Sequence, residues 1–240
     1  VDSMFSLIKH ADEIDYLVHV EGFGYPLPPE GAITESYKKA EYIAGIFGKK
    51  LIKVRSNIHE FAKPYIHWSN HYHGSALASV AHLLSKKIGT WYLASSHPYT
   101  DLLPWGSHFA LDHLFGSESV EIRHDGAECT RVQKAKRISE FPELLRYIDY
   151  GCNGSSCKRE EKCIRTLINF DLAGVLEKMQ KHPLRIEDIE NIKIIDESSY
   201  CLEMENYREL LKRPDKKRIL NALKIPLNVY LKKRNLPILK

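Results

Sequence analysis

Short β-prone runs alternate with apolar repeats at helical spacing through the first half of the chain, which restricts the fold to architectures built from strand and helix units. Residues 14–20, 51–55, 90–94 and 119–123 read as strands. Between them, Ala40, Ile43 and Phe47 share one face of a helix over 34–47 that Gly48 stops. Ala76, Leu77, Val80, Ala81 and Leu84 do the same over 74–86, ahead of Gly89. An apolar helix opens at Val1-Asp2-Ser3, a short helical piece is expected over 111–115, and prolines at 26, 28 and 29 bar regular structure after the first strand. The expected fold is α/β, with a doubly wound parallel sheet. Ligands in such sheets lie beyond the strand carboxyl ends, here residues 21–23, 55–57, 95–97 and 124–126.

The pattern then changes. Ile164, Ile168, Leu172, Val175 and Met179 form a helical stripe closed by His182-Pro183, and the last sixty residues read as helical and basic. These shifts divide the chain into a domain over 1–180 and a helical appendage over 181–240. Lys and Arg number 35 against 31 Asp and Glu, a net charge of +4 that permits an anionic ligand but falls short of a nucleic-acid-coating protein. The basic tail holds few aromatic residues for base stacking and reads as a solvated helix face. No run approaches the roughly 20 apolar residues of a membrane span and no charged-then-apolar leader opens the chain, so no membrane partner and a cytoplasmic location are expected. Of five cysteines, Cys152, Cys157 and Cys163 crowd together, which points to a local thiolate cluster rather than a disulfide framework.

Several segments carry chemistry in chain order. Asp2-Ser3 precedes the first apolar helix, where helix-start amides and the dipole favour a phosphate, although Asp-Ser there is also an ordinary N-cap. His71-Tyr72-His73-Gly74-Ser75 opens the helix over 74–86, and the His73 imidazole with the Gly74 and Ser75 amides could meet an anion in the same way. A long loop over 95–108 contains Ser95 and the run Pro104-Trp105-Gly106-Ser107-His108. After His124-Asp125-Gly126, Arg131 and Lys134 lie three apart on one helix face. Eight of twelve histidines fall between His59 and His113, but at spacings that match no standard metal site.

Taken in order, these segments resemble the N-type PP-loop ATP pyrophosphatases, of the HUP or adenine nucleotide alpha hydrolase-like type. The likeness is strongest to the branch akin to 7-cyano-7-deazaguanine synthase and more distant to the synthetase domain of asparagine synthase. That family opens with Ser-Gly-Gly-x-Asp-Ser at a strand-to-helix turn, of which Val1-Asp2-Ser3 would be the end, so the resemblance places the glycines and the central first strand upstream of residue 1. It implies ATP and Mg2+ as cofactors and adenylation of a small-molecule carboxylate or amide with release of pyrophosphate. A nitrogen donor then attacks the adenylate. Asp2 and Ser3 would serve pyrophosphate and magnesium, and the loop after Val20 and Glu21 would approach adenine. His73, Gly74, Ser75, Arg131 and Lys134 would contact phosphate and the transition state, with Asp2, Arg131 and Lys134 as the catalytic set. Ser95, Ser107 and His108 would shape the acceptor pocket. The segment 152–166 resembles the family's zinc knuckle, with Glu160 standing where the family has a cysteine, so that Cys152, Cys157, Glu160 and Cys163 would hold structural Zn2+ as three sulfurs and one oxygen. A homodimer is compatible with this reading. The alternative is a nucleotide-binding or partner-binding module of the same fold without turnover.

Overall fold

A run of Met, Phe, Leu and Ile with Asp2 in its first turn and Lys9 in its last makes Asp2–Lys9 the first helix, α1, and buries Met4, Phe5, Leu7 and Ile8. The chain then enters β1 (Tyr16–Glu21), α2 (Glu35–Ile46), β2 (Lys50–Arg55), α3 (Ile58–Ala62), a π-helical turn Trp68–Tyr72 and α4 (His73–Leu83). It continues through β3 (Thr90–Ala94), a 3-10 turn Asp112–Phe115 and β4 (Glu121–Asp125). The computed structural model describes residues 1–23, 26–101, 103–148, 159–179 and 183–239. Thr34 caps α2 by accepting from the Tyr37 amide at 3.1 Å, and Gly48 ends it with φ of +62°.

The protein divides into two compact units. The sheet unit holds Asp2–Ser95 and Pro104–Ala127, and the helical unit holds Val1, Ser96–Leu103 and Glu128–Lys240. The architecture of the sheet unit is mixed α/β, with its strands parallel in two pairs, β1 with β2 and β3 with β4. Among the described residues no ladder joins one pair to the other.

Alternation along β3 and β4 sorts their residues onto two faces. Leu93, Val120 and Ile122 pack with Ala78 and Ala81 of α4, and Trp91 joins them. On the other face α1 packs against β3, His10 stacks on Tyr92 at 4.2 Å, and Asp125 takes bonds from Ser6, Lys9 and His10 at 2.5, 2.7 and 2.9 Å. Burial pushes the Asp125 carboxyl up, but these three partners outweigh it and hold the group below its ordinary value. Asp125→Asn is therefore expected to cost about 2 kcal/mol in a urea melt at neutral pH. The gap to the native protein narrows below about pH 4, where the unfolded carboxylate takes up protons, and closes as pH falls through the lower value of the native group.

The β1 and β2 pair is covered differently. Apart from Glu21, no residue of either strand is buried, although Val18, Val20, Ile52 and Val54 alternate on one face. Strand β4 begins two residues later than the sequence pattern predicts, because Ser117 and Ser119 form a turn in which the Ser117 amide donates to Val120 O at 2.9 Å. That shift moves the carboxyl end of β4 onto His124 and Asp125.

The helical unit contains α5 (Arg131–Ile138), α6 (Pro142–Leu145), α7 (Glu161–Leu172), α8 (Ile186–Glu190), α9 (Glu197–Leu211) and α10 (Lys217–Lys233). Thr130 and Gln133 form a reciprocal capping box on α5, and Asp196 caps α9 through the Ser199 amide at 2.7 Å. The stripe expected to run to Met179 is broken: α7 ends at Leu172, Gly174 turns with φ of +76°, and Leu176–Met179 is a separate 3-10 turn. His182 lies outside the described residues. Helix α9 packs between α7 and α10, burying Ile164, Ile168, Leu202, Leu210, Leu223 and Leu227. Among the described residues, no helix is long and apolar enough to cross a membrane.

Candidate functional site

The carboxyl ends of the strands in the sheet unit are linked by a continuous set of contacts. At the end of β1, Gly22 has φ of +92°, and a Cβ there would fall 2.0 Å from the Ser56 carbonyl oxygen, so the β1 and β2 exits approach at a distance only glycine permits. Glu21, whose side chain is 2 % exposed, pairs with Lys53 at 3.0 Å and Arg55 at 2.8 Å. Burial pushes this carboxyl up, but Lys53 and then Arg55 hold it below its usual range. Arg55 also donates to Pro28 O at 2.6 Å, fixing the proline-rich loop.

Next to Gly22, Phe23 meets Trp68 edge-on at 5.1 Å, and His59 and Tyr72 contact the same indole at 4.2 and 5.8 Å. The π-helical turn carrying Trp68 is stitched to the loop before the 3-10 turn. The Gly106 amide donates to Ser69 O at 2.9 Å, the Gly74 amide donates to Gly106 O at 3.0 Å, and His73 packs against Trp105 at 5.5 Å. From there Ser107 Oγ donates to Asp112 Oδ2 at 2.7 Å and the His108 amide to Asp112 Oδ1 at 2.9 Å. Asp112 is fully buried, and its Oδ2 also meets His124 Nδ1 at 2.7 Å, at the carboxyl end of β4.

The structure therefore gathers His73, Gly74, Ser107 and His108 into one network and places Val20 and Glu21 at the exit of β1, linked to it through Phe23. Asp2 and Ser3 occupy the first turn of α1, with Ser3 exposed. Ser95 is buried at the end of β3, its amide donating to Asp125 O at 2.7 Å. The start of α4 is engaged by the chain itself: the Gly74 amide is bonded to Gly106, and Ser75 Oγ donates to Tyr72 O at 2.9 Å. Burial pushes the His73 imidazole down, against the pull of the backbone carbonyls and Asp112, so it enters this network as a neutral ring near pH 7.

Arg131 and Lys134 belong to the helical unit, where both are buried on α5. Glu205 of α9 accepts from the Val132 amide at 3.2 Å and so occupies the first turn of that helix. Of the expected zinc ligands, Cys152 and Cys157 lie outside the described residues. Glu160 is exposed at the cap of α7, whereas Cys163 is 2 % exposed and burial pushes its thiol up to about 11. Among the described residues no three His, Cys, Asp or Glu side chains are placed to hold a metal.

Sequence reasoning passed over Trp68 and Asp112 as site residues and weighed His124 only as part of a strand carboxyl end. Trp68 sits in an irregular turn with no periodic signal, and the Asp112–His124 contact joins a loop to a strand end, which spacing alone does not reveal. No protein-family model matches this chain, and no curated protein and no solved structure matches it.

Proposed function

We propose that the sheet unit is a PP-loop-type nucleotide-binding fold that adenylates a small-molecule carboxylate or amide. The observation that carries this reading is the position of α1. It packs on β3, yet the chain leaving it enters β1, so one helix serves two parallel pairs that no ladder among the described residues joins. Its exit turn touches both pairs: the Tyr92 hydroxyl donates to Glu13 at 2.6 Å and the Lys50 amide to Asp15 O at 3.2 Å. A parallel strand laid between β1 and β3 would complete a doubly wound sheet, since among the described residues β1 pairs with β2 alone and β3 with β4 alone. Such a strand, entering α1 at Asp2-Ser3, would put a phosphate-binding turn at the carboxyl ends, beside the network that holds Ser107 and His124.

In the proposed reaction a substrate oxygen attacks the α-phosphorus of ATP, the bond to the β-phosphate oxygen breaks, and pyrophosphate leaves. A nitrogen nucleophile then displaces AMP. Mg2+ would offset the phosphate charge, with Asp2 as the acidic group nearest the turn. The measurement is equilibrium dialysis of [α-32P]ATP against full-length protein. Magnesium-dependent binding that Asp2→Asn weakens about tenfold, the loss of roughly one charge-assisted contact, is expected. Failure of the native protein to retain ATP overturns the reading.

A second reading, nucleotide binding without turnover, is favoured by the start of α4, where the Gly106 carbonyl already takes the Gly74 amide that an anion would need. Formation of AMP and pyrophosphate in equal amounts separates the two.

A further inference from the structure

We propose that His124 is a proton acceptor at the carboxyl end of β4 and that Asp112 is its positioning residue, an assignment that rests on the adenylation reading above. Val120 and Ile122 face the α4 core, and His124, two residues further along the same face, is where that face turns from apolar to polar. Its ring is only 8 % exposed and is held through one nitrogen, Nδ1, at 2.7 Å from Asp112 Oδ2.

Asp112 is fully buried and meets three partners: Ser107 Oγ, the His108 amide and His124 Nδ1. With Asp112 as a carboxylate, which has only acceptor sites, the proton in its bond to His124 sits on Nδ1. A neutral imidazole with Nδ1–H carries its lone pair on Nε2, the geometry that lets histidine take a proton while a carboxylate fixes its tautomer. Ser107 and the His108 amide lock Asp112 in turn, so the loop over 104–108 sets the aim of the ring.

In the second half-reaction, the nitrogen nucleophile forms a bond to the adenylate carbon and the bond from that carbon to the AMP oxygen breaks, its electron pair leaving with AMP. The N–H proton that must depart passes to His124 Nε2, and the resulting imidazolium, stabilised by Asp112, returns it to solvent. Nothing is oxidised or reduced.

The test uses full-length protein labelled with 15N-histidine, the His124 signals being assigned by their disappearance in His124→Gln. The native ring is expected as the Nδ1–H tautomer, and Asp112→Asn, which can donate as well as accept, is expected to shift it toward Nε2–H. An Nε2–H tautomer in the native protein, or one unchanged in Asp112→Asn, overturns the assignment. In parallel, AMP formation from ATP is followed with ammonium chloride and a pool of small carboxylic acids and amides. His124→Ala is expected to lower it about a hundredfold, with added imidazole restoring a measurable part. A loss that imidazole leaves untouched while His124→Gln retains activity overturns the proton-accepting role. Failure of the native protein to bind ATP sinks the adenylation reading instead, and the tautomer measurement still decides whether Asp112 poises the ring.

Discussion

Glu203→Gln flattens the pH dependence of stability between about pH 5 and 8. Glu203 lies in the core of the helical unit with no exposed surface, and its carboxyl meets that of Glu161, which pairs with Arg165 at 2.8 Å. Asn206 Nδ2 donates to Glu203 Oε2 at 3.1 Å and Asn169 Nδ2 donates to Asn206 Oδ1 at 2.6 Å, so the amides continue the chain of bonds. Burial, and then the Glu161 charge, pushes Glu203 up to about 8. Glu161 is also raised by burial, with Arg165 opposing, so the pair holds one proton where two separate carboxylates would hold none.

The sign follows from proton counting. An unfolded glutamate titrates near 4.3, so between roughly pH 4.3 and the raised folded value the native state binds the extra proton. Stability from this group is complete below the unfolded value and drains away as pH rises through the folded one. One such group supplies a slope of about 1.4 kcal/mol per pH unit, or on the order of 5 kcal/mol across that window. Glutamine keeps the shape and a donor toward Glu161 but cannot ionise. Urea melts across this range should show the native protein weakening toward alkaline pH and the variant weakening less steeply, with the difference clearest between about pH 7 and 8. A residual slope is expected from Glu205, which burial pushes up to about 7. Parallel curves for the two proteins would mean that Glu203 is ionised throughout.

What the sequence made legible in the sheet unit was everything governed by local periodicity. The run 90–94 is β3 without adjustment, and Thr34 with Gly48 frames α2 to within a residue, because a capping hydroxyl and a positive φ are local properties. Pairing was only half legible. Parallel order requires knowing which strands meet, and that depends on contacts such as Ser6 with Asp125, 119 residues apart. The candidate site followed the same division. Ser107 and His108 could be picked out as polar loop residues beyond a strand, but the residue that organises them, Asp112, looked like the start of a minor helical turn. Arg131 and Lys134 share a helix face as expected, yet that face points into the helical unit, since apolar neighbours Val132, Ala135 and Ile138 are buried with them. Charge type predicts a partner; only packing tells whether the side chain can reach one.

Gly74→Ala and Gly45→Ala, both glycine-to-alanine changes within helices, are expected to move stability in opposite directions. Propensity alone favours alanine by about 1 kcal/mol in each case. In α2 nothing lies within 4 Å of the added Cβ at Gly45, so that gain is realised in full. In α4 the Cβ at Gly74 would stand 2.1 Å from the Gly106 carbonyl oxygen and 2.9 Å from the Ser107 Cα, both backbone atoms that cannot rotate away. Relief requires the loop over 104–107 to retreat, which breaks the bond from the Gly74 amide to Gly106 O and weakens the one from the Gly106 amide to Ser69 O. Overpacking and the lost bonds together set the expected cost at about 3 kcal/mol. The same retreat carries Ser107 away from Asp112, so the Gly74 variant should also lose the single His124 tautomer, a consequence confined to the network because Gly45 lies in α2, outside it. Thermal melts of the two variants, read beside the His124 spectrum, therefore test whether the close approach of two glycines, rather than helix propensity, holds the carboxyl-end loops in place. A Gly74 variant as stable as the Gly45 variant would show that the loop can yield without cost.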